Sequence, residues 1–226
     1  MRMRWCDLLF AHWRVDASAI RSLLPQGLEL DLFEGQAYVG AVPLTMAGVS
    51  PRLLPAVPGM DTFPEINLRT YVKAGGKPGV WFFSLDAGQK VAVRVARRFF
   101  HLPYFDAQFQ VAHLGERVTY AAVRSHQGTP NAAFTANYRP TGAVYRGAPG
   151  TLDTWLTERY CLYAADPAGR LYRGEIDHAA WPLQPAEAEI QVNTLGDWLG
   201  IKMQGPPATL HFAKSLDVRA WLLERV

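Results

Sequence analysis

Four times along this chain a short apolar or alternating run, a tight turn and a second such run follow one another. LELDLF and QAYVGAVPLTM flank Glu34-Gly35, and INLRTYV and VWFFSLD flank AGGKPG. DAQFQVAHL and RVTYAAVRS flank Gly115-Glu116, and RYCLYAA and RLYRGEI flank DPAG. Runs separated by a few turn-forming residues read as hairpins, and hairpins pair antiparallel. A chain with this pattern folds around an antiparallel sheet, and four hairpins in one chain can close that sheet on itself.

Helices are fewer. Asp16 is a good N-cap, Ile20, Leu23 and Leu24 follow at helical spacing, and Pro25 and Gly27 stop the run. A second helix is expected from about Gln89 to Phe100, with Ala92, Val95, Ala96 and Phe99 on one face. The same segment alternates Val91, Val93 and Val95, so a strand stays open there. Thr151 caps a third helix, which carries Leu152, Trp155 and Leu156. No repeat, low-complexity tract or linker divides the chain, so residues 1–226 read as a single α+β domain with a β core. The Pro-rich stretch from Gly48 to Pro64 also holds Leu53, Leu54, Val57, Met60 and Phe63. It is too apolar for a flexible linker and reads as a long packed loop, either a lid or a structural crossover.

Composition narrows the function classes. With 49% hydrophobic and 19% charged residues, the chain can bury a core. No apolar run approaches the ~18 residues that span a membrane. The net charge is +3, and its cations, mostly Arg, are scattered without a block, which argues against a nucleic-acid partner. Cys6 and Cys161 are too few for a disulfide framework or a four-cysteine zinc site. The six histidines form no HxH or HExxH spacing, so no metal and no cofactor is expected. The opening MRMRWCDLLFAHWR resembles a signal peptide only briefly, since Asp7, His12 and Arg14 break its apolar run. The expectation is a soluble, reduced, cytoplasmic protein.

The most informative segment for chemistry is PEINLRTYV. In a strand, alternate side chains share a face. Glu65, Asn67, Arg69 and Tyr71 fall on one face, and Ile66, Leu68, Thr70 and Val72 on the other. Four hydrogen-bonding groups in a row can line a polar interior, or they can be an ordinary exposed sheet face. His12 and Trp13 sit in the expected first strand. Glu158-Arg159 sits at a helix-to-strand junction that also reads as a salt-bridged surface, and His178 precedes Trp181 in an expected loop.

Several stretches together resemble a known family. LLFAHWRVDASAIRSLLPQGLELDLFEGQAYVGAVPL, FPEINLRTYV, FFSLD, ARRFFHLPYFDA, TERYCLY and HAAWPLQPAEAEI occur in this order and resemble the bacterial family called domain of unknown function 2071. The resemblance runs from about Trp5 to the end of the chain. It implies the acetoacetate decarboxylase-like fold: a mostly antiparallel, cone-shaped closed β-barrel with flanking helices and an internal cavity. It implies no activity.

The more distant resemblance to acetoacetate decarboxylase itself covers roughly the first half. Arg14, Asp16, Ala19, Pro25, Leu28 and Asp31 find counterparts, and Glu65 stands where that enzyme has its active-site glutamate. Its Schiff-base lysine lies in a Tyr-Pro-Lys-Lys segment, which Leu102-Pro103-Tyr104-Phe105 matches here with both lysines replaced. Its arginine maps near Arg4 to Cys6 without a clean match. Imine chemistry needs an amine of lowered pKa, for which acetoacetate decarboxylase is the standing example. A tyrosine forms no imine, but its phenol can donate a hydrogen bond or a proton.

The resemblance favours the interior reading of the Glu65 face, with a self-satisfied buried Glu–Arg network as the alternative. The leading expectation is a protein that binds a small, anionic carbonyl or carboxylate compound. Arg69 would hold the anion, Asn67 and Tyr104 would supply hydrogen bonds, and His12, Trp13, Phe82 and Phe83 would form walls. The alternatives are an enzyme with Glu65 and Tyr104 as acid and base, and a structural protein with a vestigial cavity. The expected partner is a small-molecule ligand. Self-association into a homo-oligomer is left open.

Overall fold

The structure, a computed structural model, describes residues 1–50 and 61–226. Most of the Pro-rich stretch therefore lies outside the described residues. Its flanks belong to strands.

In chain order the strands are β1 (Arg2–Val15), β2 (Glu29–Leu30), β3 (Ala37–Ser50), β4 (Phe63–Ala74), β5 (Lys77–Ala87), β6 (Tyr104–Leu114) and β7 (Arg117–Arg124). They continue with β8 (Ala133–Pro140), β9 (Cys161–Ala165), β10 (Leu171–His178), β11 (Gln184–Asn193) and β12 (Thr209–Arg225). Among the described residues three α-helices interrupt them: α1 (Ala17–Arg21), α2 (Lys90–Phe100) and α3 (Leu152–Thr157). None of the described helices is long and apolar enough to cross a membrane.

The expected hairpins β4–β5, β6–β7 and β9–β10 all form. The hairpin expected around Glu34-Gly35 shrinks to a single bridge between Phe33 and Gln36. The strand before it, β2, pairs with β4 instead, through Glu29–Lys73 and Leu30–Val72. His178, expected in a loop, is the last residue of β10. Every pairing is antiparallel except β5–β6 and β5–β9.

The pairings form two circuits. One runs β5–β4–β3–β1–β12–β10–β9 and returns to β5. The other leaves β5 through β6, β7, β8 and β11 and rejoins at β12. Strands β12, β1, β3, β4 and β5 belong to both, so they form a wall with an interior on each side. Period-two alternation sorts their side chains. Leu8 and Phe10 of β1 and Val42, Leu44 and Met46 of β3 enter one apolar core. Leu9, Ala11 and Trp13 of β1, Val39 and Ala41 of β3, and Ile66 and Leu68 of β4 enter the other. A strand with two buried faces reads as a near-continuous apolar run, and VGAVPL is such a run.

The helices follow their local signals. The Asp16 carboxylate accepts from the Ser18 backbone N–H at 2.8 Å, and Ile20 plugs into the second core. This helix is a turn shorter than its apolar spacing suggests, because Pro25 closes it early. The segment after Gln89 is a helix rather than a strand. The Gln89 side chain caps the Val91 N–H at 3.0 Å, and His101 ends the helix with a left-handed φ of 48°.

One close approach holds the first circuit shut. At the β5–β9 crossing, a Cβ on Gly79 would lie 2.7 Å from Cys161 Sγ, 2.8 Å from its carbonyl oxygen and 2.8 Å from Tyr163 Cε2. Backbone is involved, so the strands must part. Gly79→Ala is expected to cost about 1–3 kcal/mol, a fall of several degrees in melting temperature. An unchanged melting curve would show that the crossing has slack.

Candidate functional site

The alternation of β4 decides where the polar face goes. Ile66 and Leu68 turn into the second core, so Glu65, Asn67 and Arg69 turn to the opposite side. There they line a cavity of about 350 Å³, set within the first core. Tyr104 reaches the same cavity from the start of β6. Leu102 and Pro103 follow the left-handed His101, and the Leu85 N–H donates to the Pro103 carbonyl at 3.0 Å. Tyr104 is thereby set in parallel register with Leu85.

The Tyr104 hydroxyl donates to Glu65 Oε2 at 2.7 Å. Both groups are buried, Glu65 being 4% exposed. Burial pushes the Glu65 carboxyl from its ordinary 4.5 up to about 7, against hydrogen bonds from Tyr104 and Asn67 that favour the charged form. Burial and the Glu65 charge hold the Tyr104 phenol well above its usual 10. The pair is a carboxyl that gains and loses a proton near neutrality, beside a phenol that keeps its own.

Arg69 is 9% exposed, and among the described residues no carboxylate pairs with it. One Nη donates weakly to the Leu156 carbonyl at 3.4 Å, and Nε has no partner. Its guanidinium lies 5.1 Å from the Phe10 ring and 5.8 Å from the Tyr71 ring. Glu65 lies two alternations away along the strand, some ~13 Å, which is why the two do not neutralise each other. Asn67 Oδ1, between them on the same face, also has no partner.

A second cation stands on the cavity wall. Arg159, of the Glu158-Arg159 pair that also reads as a salt-bridged surface, is 7% exposed and lines the cavity. It donates to Asp31 Oδ2 and to the Trp155 carbonyl, both at 2.7 Å, and its second Nη has no partner. Lys73 also reaches Asp31, at 2.7 Å. Finding Arg159 requires knowing that β2 lies beside β4, which brings Asp31 across 128 residues of sequence. Among the described residues the wall therefore carries Arg69 and Arg159 together with the carboxyl groups of Glu65 and Glu175; Arg159 is paired with Asp31, Glu175 with Lys77, and Arg69 with no carboxylate.

The other expected site residues divide. Phe82 lines the cavity, and Phe83 does not. His12 and Trp13 do not line it either. Neighbours on a strand face opposite ways. Trp13 packs in the second core and donates to the Gly205 carbonyl at 3.1 Å. His12 lies on the first side but behind the wall, with Nε2 2.6 Å from the Tyr71 hydroxyl. Burial, and then the Arg69 charge, hold its imidazole well below 6.5, so it is neutral. Arg4, the nearest arginine to the enzyme's in the resemblance, points outward and pairs with Asp217.

Among the described residues no lysine lines the cavity. Lys73, Lys77 and Lys214 are held by Asp31, Glu175 and Asp7, and Lys90 begins α2. Among the described residues no group of His, Cys, Asp and Glu is placed to hold a metal ion.

The family model DUF2071, described as an uncharacterized conserved protein, matches residues 2–217. "Uncharacterized protein YqjF" of Bacillus subtilis (strain 168) is 47% identical over 225 residues, covering 100% of this chain and 92% of that protein. Among solved structures, the enduracididine biosynthesis enzyme MppR with HEPES buffer bound superposes with a TM-score of 0.68 at 15% identity, covering 100% of this chain and 87% of that one. The acetoacetate decarboxylase of Legionella pneumophila gives 0.62 at 15% identity, with the same coverage. An acetoacetate decarboxylase-like enzyme from Sphingomonas wittichii RW1 gives 0.65 at 16%, covering 100% and 92%. At these identities the likeness is one of fold.

Proposed function

The chain belongs to the DUF2071 family of uncharacterised conserved proteins, and from that premise and the geometry of its cavity we propose that it binds a small monoanionic carbonyl or carboxylate compound there. We read the seven-strand circuit as the closed barrel that encloses the site, and residues 1–226 as one domain.

The observation that carries the reading is Arg69: a buried guanidinium on the cavity wall with no carboxylate partner and an unpartnered N–H. A buried charge without a counter-ion is costly, and proteins keep one where a ligand supplies the opposite charge. A carboxylate fits the planar fork of Arg69. The second Nη of Arg159 stands ready to donate to its oxygens or a neighbouring carbonyl, and Asn67 Oδ1 to accept from a ligand hydroxyl. The test is calorimetric titration of the intact protein with simple monocarboxylates, and the matching amides should bind more weakly. Equal binding of acid and amide would remove the anionic ligand.

A second reading rests on the Glu65–Tyr104 pair. A carboxyl poised at about 7 against a phenol at 2.7 Å is suited to moving a proton to or from a bound carbonyl compound. Conversion of a bound compound that disappears in Glu65→Gln would favour this enzyme reading over simple binding. Either way, imine chemistry is not expected. Treatment with acetoacetate and borohydride should leave the protein mass unchanged, and a stable lysine adduct would overturn that expectation.

A further inference from the structure

We propose that the ligand of the cavity is an amphiphile: a monocarboxylate whose unbranched apolar chain runs from Arg69 to the mouth beside α2. The inference rests on the binding reading above and goes further by assigning the rest of the molecule.

Three observations carry it. The first is the chemistry of the wall. Away from the polar cluster the chamber is bounded by Met3, Leu8, Val42, Leu44, Met46 and Leu85, which are core residues rather than surface ones. A very small oxo-acid satisfies Arg69 and leaves this apolar surface facing water. An alkyl chain covers it, and each buried methylene contributes ~0.8 kcal/mol. The methionines suit a flexible chain, because their side chains adapt to irregular shapes.

The second is the gradient from floor to rim. Glu65, Asn67, Arg69 and Arg159 sit deep and are all buried, whereas Gln89 and Glu175 are half-exposed, Glu175 being held by Lys77 and Arg173. The strongly exposed members of the lining are apolar: Val91 and Val95 of α2, and Trp221 of β12. A ligand whose acid reaches Arg69 enters head first and leaves its apolar end beside these three residues.

The third is size. At ~30 Å³ for each water-sized group, about 350 Å³ holds roughly a dozen non-hydrogen atoms. That is a carboxylate with a chain of about eight to ten carbons. Its single charge matches that of Arg69, which no carboxylate pairs among the described residues.

The experiment is a chain-length series. The intact protein is titrated by calorimetry near pH 7.5 with the straight-chain acids from acetate to dodecanoate, with acetoacetate, and with 1-octanol. Affinity should rise about three- to fourfold per added methylene, on the order of a hundredfold from hexanoate to decanoate, and level off once the chain reaches the rim. Octanoate should bind more tightly than 1-octanol. If acetate and acetoacetate bind as tightly as decanoate, the chain is overturned and the anion-binding reading stands. If 1-octanol matches octanoate while length dependence persists, the chain is upheld and the carboxylate head falls, together with the reading of Arg69 as its anchor. Absence of binding by any acid overturns both.

Discussion

Replacing Arg69 by Met is expected to weaken monocarboxylate binding by roughly 10- to 150-fold without unfolding the protein. The lower figure corresponds to one charge-assisted hydrogen bond of about 1.5 kcal/mol, the upper to about 3 kcal/mol. The second half of the expectation is as informative as the first. Arg69 has no carboxylate partner, so its removal strands no opposite charge, and Met fills similar space among Phe10 and the core around it. The melting temperature should therefore hold or rise. A structural arginine would behave in the opposite way, losing stability when replaced. Arg69→Lys should restore binding only in part, because an ammonium lacks the planar fork. Calorimetry and thermal melts on the three forms check this. Unchanged affinity in a folded Arg69→Met protein would move the anchor to Arg159.

Glu65→Gln should stabilise the protein at alkaline pH and change it little in acid. In the unfolded chain the carboxyl titrates near its ordinary 4.5, and in the folded protein at about 7. The folded state thus keeps a proton that the unfolded chain has already lost. The stability linked to that proton is fully present below about 4.5 and is lost as pH rises through 7. At ~1.4 kcal/mol per pH unit the full difference is about 3 kcal/mol. Glutamine carries no charge to desolvate, its carbonyl can still accept from Tyr104, and its amide can donate to the unpartnered Asn67 oxygen. The gap in melting temperature between variant and parent should open from near zero at pH 4 to roughly 6–12 °C at pH 8.5. A gap that stays constant across this range would mean that Glu65 is not the group that titrates.

The parts of this molecule that could be read from its residues are those set by neighbours in the chain. The turns Gly75-Gly76 and Gly115-Glu116 announce their hairpins, and the Asp16, Gln89 and Thr151 side chains cap the helices they precede. The alternation of β4 also puts Glu65, Asn67 and Arg69 on one face before any partner strand is known. What could not be read depends on pairings between distant segments. Nothing near LELDLF says that its strand joins β4 rather than β3. Nothing near Glu158-Arg159 says that the arginine meets Asp31. The second circuit escaped for the same reason, since β11 runs polar and apolar by turns and names no partner. His12 and Trp13 cannot both be walls of one cavity, for a more local reason. Adjacent strand residues cannot share an interior, and the pleat alone excluded one of them.

The shared wall has a consequence for how the chain is made. Strand β12 pairs with β1, β10 and β11, so each circuit is completed through it. Arg2 of β1 faces Arg219 of β12. As the ribosome adds ~5–20 residues per second, the hairpins can form in turn as they emerge. Neither interior can seal until β12 has been translated. Throughout that interval β1 and β3 would present apolar side chains on both faces and β1 an unpaired edge, the kind of surface that holdase chaperones grip. A ligand that needs a finished chamber can assist only the last of these events, after synthesis has passed β12.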